Sequence, residues 1–123
     1  MLVKIDDIIF NTNRLKEIRI LSSHDECDTD FYFLKGLTKT FDYRTGQILI
    51  KHIITNDEQK SFVQVSNRYY NKDLISQIEE NPNDNFYAHT LTFADGAKEH
   101  ITKWDRDAIA KTDRTKDDYI SIK

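Results

Sequence analysis

Residues 3–18 read VKIDDIIFNTNRLKEI, and sixty residues later residues 63–78 read VQVSNRYYNKDLISQI. Apolar or identical residues recur at matching positions: Val3 and Val63, Ile5 and Val65, Phe10 and Tyr70, Asn11 and Asn71, Leu15 and Ile75, and Ile18 and Ile78. Short apolar stretches separated by polar turn residues are typical of β-strands in hairpins. The pattern predicts that the chain contains two similar β-rich halves.

The two segments are also followed by similar sequence. Each precedes an acidic, Asn- and Asp-rich stretch, then an aromatic pair, then a hairpin-like segment that contains a Gly. We expect a single domain over 1–123 with an internal duplication, 1–60 and 61–111, and a mobile charged tail at 112–118. The alternative interpretation is a meander of hairpins without internal symmetry.

The composition indicates a folded chain with a highly charged surface. Hydrophobic residues make up 38% of the chain and charged residues 32%. The formal net charge of −3 excludes the strongly basic balance of a general nucleic-acid binder. We find no long apolar run and no signal-peptide core, and a single cysteine cannot form an internal disulfide. These features favour a cytoplasmic protein with no membrane association.

Most of the chain is expected to form antiparallel hairpins. The predicted strands are Leu2–Ile5, Ile8–Phe10, Lys16–Leu21, Phe31–Leu34, Leu37–Tyr43, Gln47–Ile54, Ser61–Val65, Arg68–Tyr70, Tyr87–Phe93 and Ala97–Lys103. Gly46 is expected to supply a positive φ in the loop before Gln47–Ile54. Helical spacing predicts a short helix over 72–80, and Asp105 is predicted to cap one over 105–111. The expected fold class is α+β, mostly antiparallel β hairpins with one or two short helices.

The hairpin around Ala94-Asp95-Gly96 carries a histidine on each arm, His89 and His100. A two-residue turn would place both histidines on one face of the hairpin. A three-residue loop with a bulge at Gly96 places them on opposite faces and groups the apolar residues on one face. We therefore favour the three-residue loop, which argues against a shared catalytic site.

The segment Ser22–Asp30, SSHDECDTD, has the most unusual local composition. Its candidate metal ligands are His24, Asp25, Glu26, Cys27, Asp28 and Asp30. The segment lacks both the EF-hand pattern and a Cys-x-x-Cys pair, so a solvated acidic loop is favoured. We assign no catalytic residue, metal or cofactor, and we expect a protein that is not an enzyme. A small metal-dependent hydrolase at His24–Asp30 is kept as an alternative.

Two surfaces are candidates for binding macromolecules. The acidic loop together with aromatic residues is predicted to bind protein, because complementary charge speeds association and aromatic residues anchor interfaces. The protein-binding candidates are Asp25, Glu26, Asp28, Asp30, Tyr69, Tyr70 and Trp104. The alternative is a basic and aromatic face that binds nucleic acid. Its candidates are Lys98, Lys103, Trp104, Arg106, Lys111 and Arg114, interleaved with nearly as many acidic residues.

The functional expectation is a small, non-enzymatic, intracellular protein-interaction module. The abundance of Ile, Lys and Asn is typical of AT-rich bacteria and their phages. We therefore expect an inhibitor encoded by a phage or mobile element, for example an anti-CRISPR-like protein, that docks on a larger host protein or nucleoprotein complex. A nucleic-acid-binding module and a metal-dependent hydrolase are the alternatives.

Overall fold

The first half of the chain forms a hairpin, a three-stranded meander and one helix. The computed structural model describes residues 1–5, 7–22, 27–113 and 116–117. The elements of the first half are β1 (Leu2–Ile5), β2 (Ile8–Asn11), a 3-10 turn (Thr12–Arg14), β3 (Leu15–Ser22), β4 (Cys27–Phe33), a 3-10 turn (Leu34–Gly36), β5 (Thr38–Asp42) and α1 (Tyr43–Thr55).

The second half repeats this order sixty residues later. Its elements are β6 (Phe62–Val65), β7 (Arg68–Asn71), a 3-10 turn (Lys72–Leu74), β8 (Ile75–Glu80), β9 (His89–Phe93), β10 (Lys98–Ile101) and α2 (Lys103–Ala110). Local details match as well. The side chains of Asn11 and Asn71 each accept a hydrogen bond from the backbone N–H two residues later, at 3.0 and 3.1 Å. The two halves therefore have the same backbone plan.

A β-bulge at the same place in each half explains the spacing of the buried residues. β3 pairs antiparallel with β4, with Leu15 opposite Phe33, and the register shifts before Glu17. β8 pairs with β9 with the same shift between Ile75 and Gln77. Because an extra residue in one strand changes which side chains share a face, apolar residues three positions apart point into one core.

This bulge also explains why one secondary-structure prediction was wrong. Residues 72–80 were expected to form a helix because Ile75 and Ile78 have helical spacing. Instead only Lys72–Leu74 is a 3-10 turn, and the residues that follow form β8. A bulged strand produces the same three-residue spacing as a helix, so periodicity alone does not distinguish the two.

The strand predicted at Gln47–Ile54 was also wrong, because the segment lies within helix α1. Asp42 caps the helix by accepting a 2.8 Å hydrogen bond from the Thr45 backbone N–H. The apolar run is amphipathic, with Leu49, Ile50 and Ile53 buried. Gly46 is therefore a helical residue with no turn conformation, and a Cβ added there would overlap the side chain of Thr29.

Helix α2 confirms the last predicted helix but begins two residues earlier than expected. Asp105 is not its N-cap. Thr102 and Asp105 form a reciprocal pair instead: the Asp105 N–H donates to Thr102 Oγ1, and the Thr102 N–H donates to Asp105 Oδ2, each at 3.1 Å. This capping box satisfies two backbone donors at the start of the helix.

The two halves share one sheet. Its order is β5-β4-β3-β7-β6, so that the hairpin of the second half pairs with the first half. β10-β9-β8 and β1-β2 form separate antiparallel sheets. The short strands Lys111–Asp113 (β11) and Lys116–Asp117 (β12) pair with each other. They include residues 112, 113, 116 and 117 of the segment 112–118 that is predicted as a mobile tail. The fold class is α+β and rich in hairpins, as the sequence predicts.

The hairpin β6–β7 lies between two hydrophobic cores. The first core is centred on Leu15, Ile18, Phe31, Phe33, Leu49, Ile50 and Ile53. Phe62 and Tyr69 of the hairpin pack against it. Val63, Val65 and Tyr70, on the opposite face of the hairpin, belong to the second core. Alternate residues of one hairpin thus hold the two halves together.

Candidate protein-interaction surfaces

Strand pairing and a buried amide join the two halves. β3 pairs antiparallel with β7, with Ile18 opposite Tyr69 and Arg19 opposite Arg68. The buried side chain of Asn71 donates a 2.9 Å hydrogen bond from Nδ2 to the backbone oxygen of Leu15. These contacts fix the register of the second half against the first.

A nearly buried ion pair adds a second contact between the halves. Lys16, the bulge residue of β3, donates from Nζ to Asp95 Oδ2 at 2.9 Å, and both side chains are less than one-tenth exposed. The Asp95 carboxylate also accepts from the backbone N–H groups of Lys35 and Ala97, at 2.8 and 3.0 Å. Although partial desolvation opposes it, these hydrogen bonds lower the pKa of Asp95. The turn of the β9–β10 hairpin is thereby anchored to the first half.

A cluster of titratable side chains forms the third contact. Arg19 Nη2 lies 3.0 Å from Glu99 Oε1, and the Arg19 Nε donates to Glu17. Arg68 Nη1 and the Tyr70 hydroxyl also reach Glu99 Oε1, at 3.3 and 3.2 Å. The cluster therefore joins β3 of the first half to β7 and β10 of the second.

Two groups of the cluster have raised pKa values. Burial and a hydrogen bond with Glu99 raise the pKa of Glu17 from 4.5 to about 8. Burial likewise raises the pKa of Tyr70 well above its usual value. A raised carboxyl pKa is a feature of general acids, but none of the five cluster residues lines the cavity beside Ile53 and Asn71 or the groove beside Ile9 and Lys39. We interpret the cluster as a joint between the halves.

The predicted protein-binding residues that the structure describes do not form one exposed surface. Tyr70 is fully buried, so its prediction as a contact residue was wrong. Tyr69 is half-buried against the first core. Asp30 is engaged locally, accepting hydrogen bonds from Thr40 and Tyr32 at 2.7 and 3.2 Å. The sequence did not show that these two tyrosines are covered, because both faces of the β6–β7 hairpin pack against cores formed by distant parts of the chain.

The acidic loop is only partly described. Asp28 lies on β4 opposite Asp42 of β5, whereas Asp25, Glu26 and His24 lie outside the described residues. Among the described residues, no group of three or more His, Cys, Asp or Glu side chains is arranged to hold a metal ion. The described part of the chain therefore provides no set of metal ligands that supports the hydrolase alternative.

The structure confirms the three-residue loop that separates the two histidines. Phe93 N–H donates to the Ala97 oxygen at 2.8 Å, which closes a three-residue loop with Gly96 at a φ of 87°. His89 lies opposite Ile101, and His100 lies opposite Thr90. The two histidines are therefore on opposite faces of the hairpin, as the favoured register predicts.

The predicted nucleic-acid face is only partly basic. Lys98, Lys103 and Trp104 are exposed. Arg106 instead forms a 2.8 Å ion pair with Asp107. The Lys111 side chain and Arg114 lie outside the described part. Paired charge of this kind weakens attraction to phosphate.

Three exposed aromatic residues lie at one end of the second half. Phe86, Tyr87 and Trp104 are 59%, 45% and 72% exposed, and we call them the aromatic patch. Because His89 pairs with Ile101, the segments beyond this pair, which carry the patch, lie at the same end of the β9–β10 hairpin. The aromatic pair at 86–87 was visible in the sequence, but its exposure was not.

The aromatic patch is held by ordered backbone. The backbone N–H groups of Phe86 and Tyr87 both donate to Asp84 Oδ1, at 2.9 and 2.8 Å. Their rings meet edge to face, with centroids 4.9 Å apart. Trp104 follows directly after the start of α2, which the Thr102 capping box fixes.

No protein-family model, curated protein or solved structure matches this chain. None of the helices in the described ranges is long and apolar enough to cross a membrane.

Proposed function

We propose that this chain is a non-enzymatic protein-interaction module that docks on a larger partner through the aromatic patch. The observation that carries the proposal is the exposure of Phe86, Tyr87 and Trp104 at one end of the second half. Tryptophan and tyrosine dominate the binding energy of protein interfaces because they bury a large area with few rotatable bonds.

The order of the patch supports the same proposal. Asp84 and the Thr102 capping box hold the backbone on which the three aromatic side chains are carried. A preorganised surface loses less conformational entropy on binding than a mobile one, so more of the contact energy appears as affinity. Exposed aromatic residues on ordered backbone are therefore suited to contact another protein.

The composition extends the proposal to a cytoplasmic inhibitor encoded by a phage or mobile element. Such an inhibitor would act by occupying a surface of a host protein or nucleoprotein complex. Identifying the captured partner tests this extension separately from the interaction itself.

Affinity capture with matched variants tests the proposal. Tagged wild-type protein should recover a stoichiometric partner from lysates of its source cells, and Trp104→Ser should weaken binding about 30-fold or more, as expected for a central interface tryptophan. Tyr43→Ser, which removes an exposed aromatic residue at the start of α1, should leave recovery unchanged. Equal recovery with Trp104→Ser, or no partner at all, would contradict the proposal.

The same samples distinguish the nucleic-acid alternative. Co-purified nucleic acid without a protein partner, with affinity that falls steeply as salt rises, would favour the basic face. Folding of each variant is checked by far-ultraviolet circular dichroism. Trp104 is the only tryptophan of the chain, so its emission spectrum reports directly whether the patch is covered on binding.

A further inference from the structure

The outer face of the first hairpin carries exposed apolar residues. Leu2 and Ile9 are 70% and 62% exposed. The positions sixty residues later carry Phe62 and Tyr69, which pack against the first core. The β1–β2 hairpin therefore exposes apolar residues at positions that, in the β6–β7 hairpin, are covered by the first half of the chain.

A groove beside β2 corresponds in sequence position to the surface by which the second half contacts the first half. The groove, of about 460 Å³, is lined in part by Ile9, Phe10, Asn11, Lys35 and Lys39. Sixty residues later the chain carries Tyr69, Asn71, Asp95 and Glu99, which contact the first half, and Tyr70, whose hydroxyl donates to Glu99. In the first half the corresponding surface is open.

The second half carries the complementary edge. β8 corresponds to β3, the strand that receives β7. Among the described strands β8 pairs only with β9, and Gln77 and Glu79 on it are exposed. One end of the molecule thus presents a donor hairpin, and the other presents a strand edge of the type that accepts one. Free strand edges of this kind recruit further strands.

We propose that a second copy of this chain docks head to tail, with β2 of one copy pairing antiparallel with β8 of the other. The internal register, Ile18 opposite Tyr69 and Arg19 opposite Arg68, translates to Ile78 opposite Ile9 and Glu79 opposite Ile8. Leu2 and Ile9 would then be covered as Phe62 and Tyr69 are. This proposal goes beyond the aromatic patch, since it uses none of the patch residues.

Charge complementarity supports this pairing. At the internal interface Arg19 of β3 contacts Glu99 of β10 at 3.0 Å. The corresponding residues at the proposed interface are Glu79 and Lys39, so the pair is kept with its signs exchanged. Asn11 stands where Asn71 donates to the backbone oxygen of Leu15, and in the pairing it faces the oxygen of Ile75.

One internal contact is not reproduced between copies. The buried Lys16–Asp95 ion pair corresponds to Ser76 and Lys35, which do not form an ion pair. The two copies are also not tethered, so their pairing loses translational entropy that the covalently linked halves do not lose. We therefore expect association in the micromolar range, as chains or rings, because each copy contributes two different faces.

Solution mass with charge-exchange variants tests the proposal. Light scattering across about 10 µM to 1 mM of full-length protein should show an average mass that rises with concentration. Glu79→Lys alone and Lys39→Glu alone should each weaken association at least tenfold. An equimolar mixture of the two should recover it, since both interfaces in an alternating assembly then join unlike charges. Wild-type protein that stays monomeric throughout would overturn the proposal.

A matched apolar pair separates head-to-tail from symmetric pairing. Ile9→Lys should abolish association, whereas Ile48→Lys, at an exposed isoleucine on α1, should not. Association that is lost in Ile9→Lys but unchanged in Glu79→Lys would indicate β2–β2 pairing and would overturn the head-to-tail arrangement. All of these residues are exposed or half-buried, and circular dichroism verifies that each variant folds. Loss of patch-dependent capture would not affect this result.

Discussion

Replacing Glu17 by Gln should remove much of the pH dependence of stability between pH 5 and pH 8. Glu17 is 2% exposed and lies in the joint between the halves. Its folded-state pKa is raised from 4.5 to about 8, by burial and by the hydrogen bond with Glu99. The folded protein therefore keeps a proton that the unfolded chain has already released over this range.

The sign of the effect follows from this difference. The stability that the proton contributes is complete below about pH 4.5 and is lost as the pH rises toward 8. One pKa unit corresponds to about 1.4 kcal/mol. The free energy of unfolding of the wild-type protein should therefore fall by roughly 3–4 kcal/mol between pH 5 and pH 8 through this group. Glutamine resembles the neutral carboxyl and cannot ionise, so its stability should lack this decline.

Urea unfolding at pH 5, 6, 7 and 8 measures this difference. Far-ultraviolet circular dichroism is the suitable signal, because Trp104 is 72% exposed and reports poorly on unfolding. Glu58→Gln, at an exposed carboxyl in the turn after α1, is the matched control and should follow the wild-type curve. Wild-type stability that is constant or rises from pH 5 to pH 8, or an equal slope in Glu17→Gln, would refute the reasoning.

Two further substitutions test the packing. Gly46→Ala should destabilise the protein by about 1–3 kcal/mol despite the better helix propensity of Ala, because its Cβ would overlap the buried Thr29 side chain. The same change in a Thr29→Gly background should cost much less, because only glycine also removes the Thr29 Cβ, which would lie 2.4 Å from the added one. An equal cost in both backgrounds would contradict the contact. Asp95→Asn should cost about 3 kcal/mol, since it leaves the Lys16 ammonium nearly buried without a carboxylate. Lys16→Met should cost less, because Asp95 keeps two backbone donors; urea unfolding ranks the two.

The strands of the two corresponding hairpins are what the sequence predicted most directly. Matching apolar positions and the shared Asn are local signals, and they predicted β1, β2, β6 and β7 to within one residue. The bulges were not predictable by the same reasoning, because a bulged strand and a helix give the same apolar spacing. The run at Gln47–Ile54 failed for a related reason. Its capping residue, Asp42, lay inside an assumed strand, so the helix start was not recognised.

The binding residues were harder to predict than the fold. Tyr70 and Phe86 are both aromatic residues next to another aromatic residue, yet one is fully buried and the other 59% exposed. The difference is tertiary: β7 lies between two cores, whereas the segment at 86–87 follows a polar loop at the end of a sheet. The joint around Glu17 was missed because its members are far apart in the chain, Glu17 in the first half and Glu99 in the second.

The interface between the halves is formed by β3 and β7. Within the described part of the chain, the corresponding strands, β8 and β2, have free edges at the two ends of each copy. Cross-linking in a Cys27→Ser background tests this most directly, by mixing Ile8→Cys protein with a differently tagged Glu79→Cys protein under mild oxidation. The internal pairing of Arg19 with Arg68, shifted by sixty residues, places Glu79 of one copy opposite Ile8 of the other. We therefore predict disulfide-linked dimers that contain one chain of each variant. Dimers of the Ile8→Cys chain alone, or no covalent dimer at concentrations where wild-type protein associates, would contradict the account.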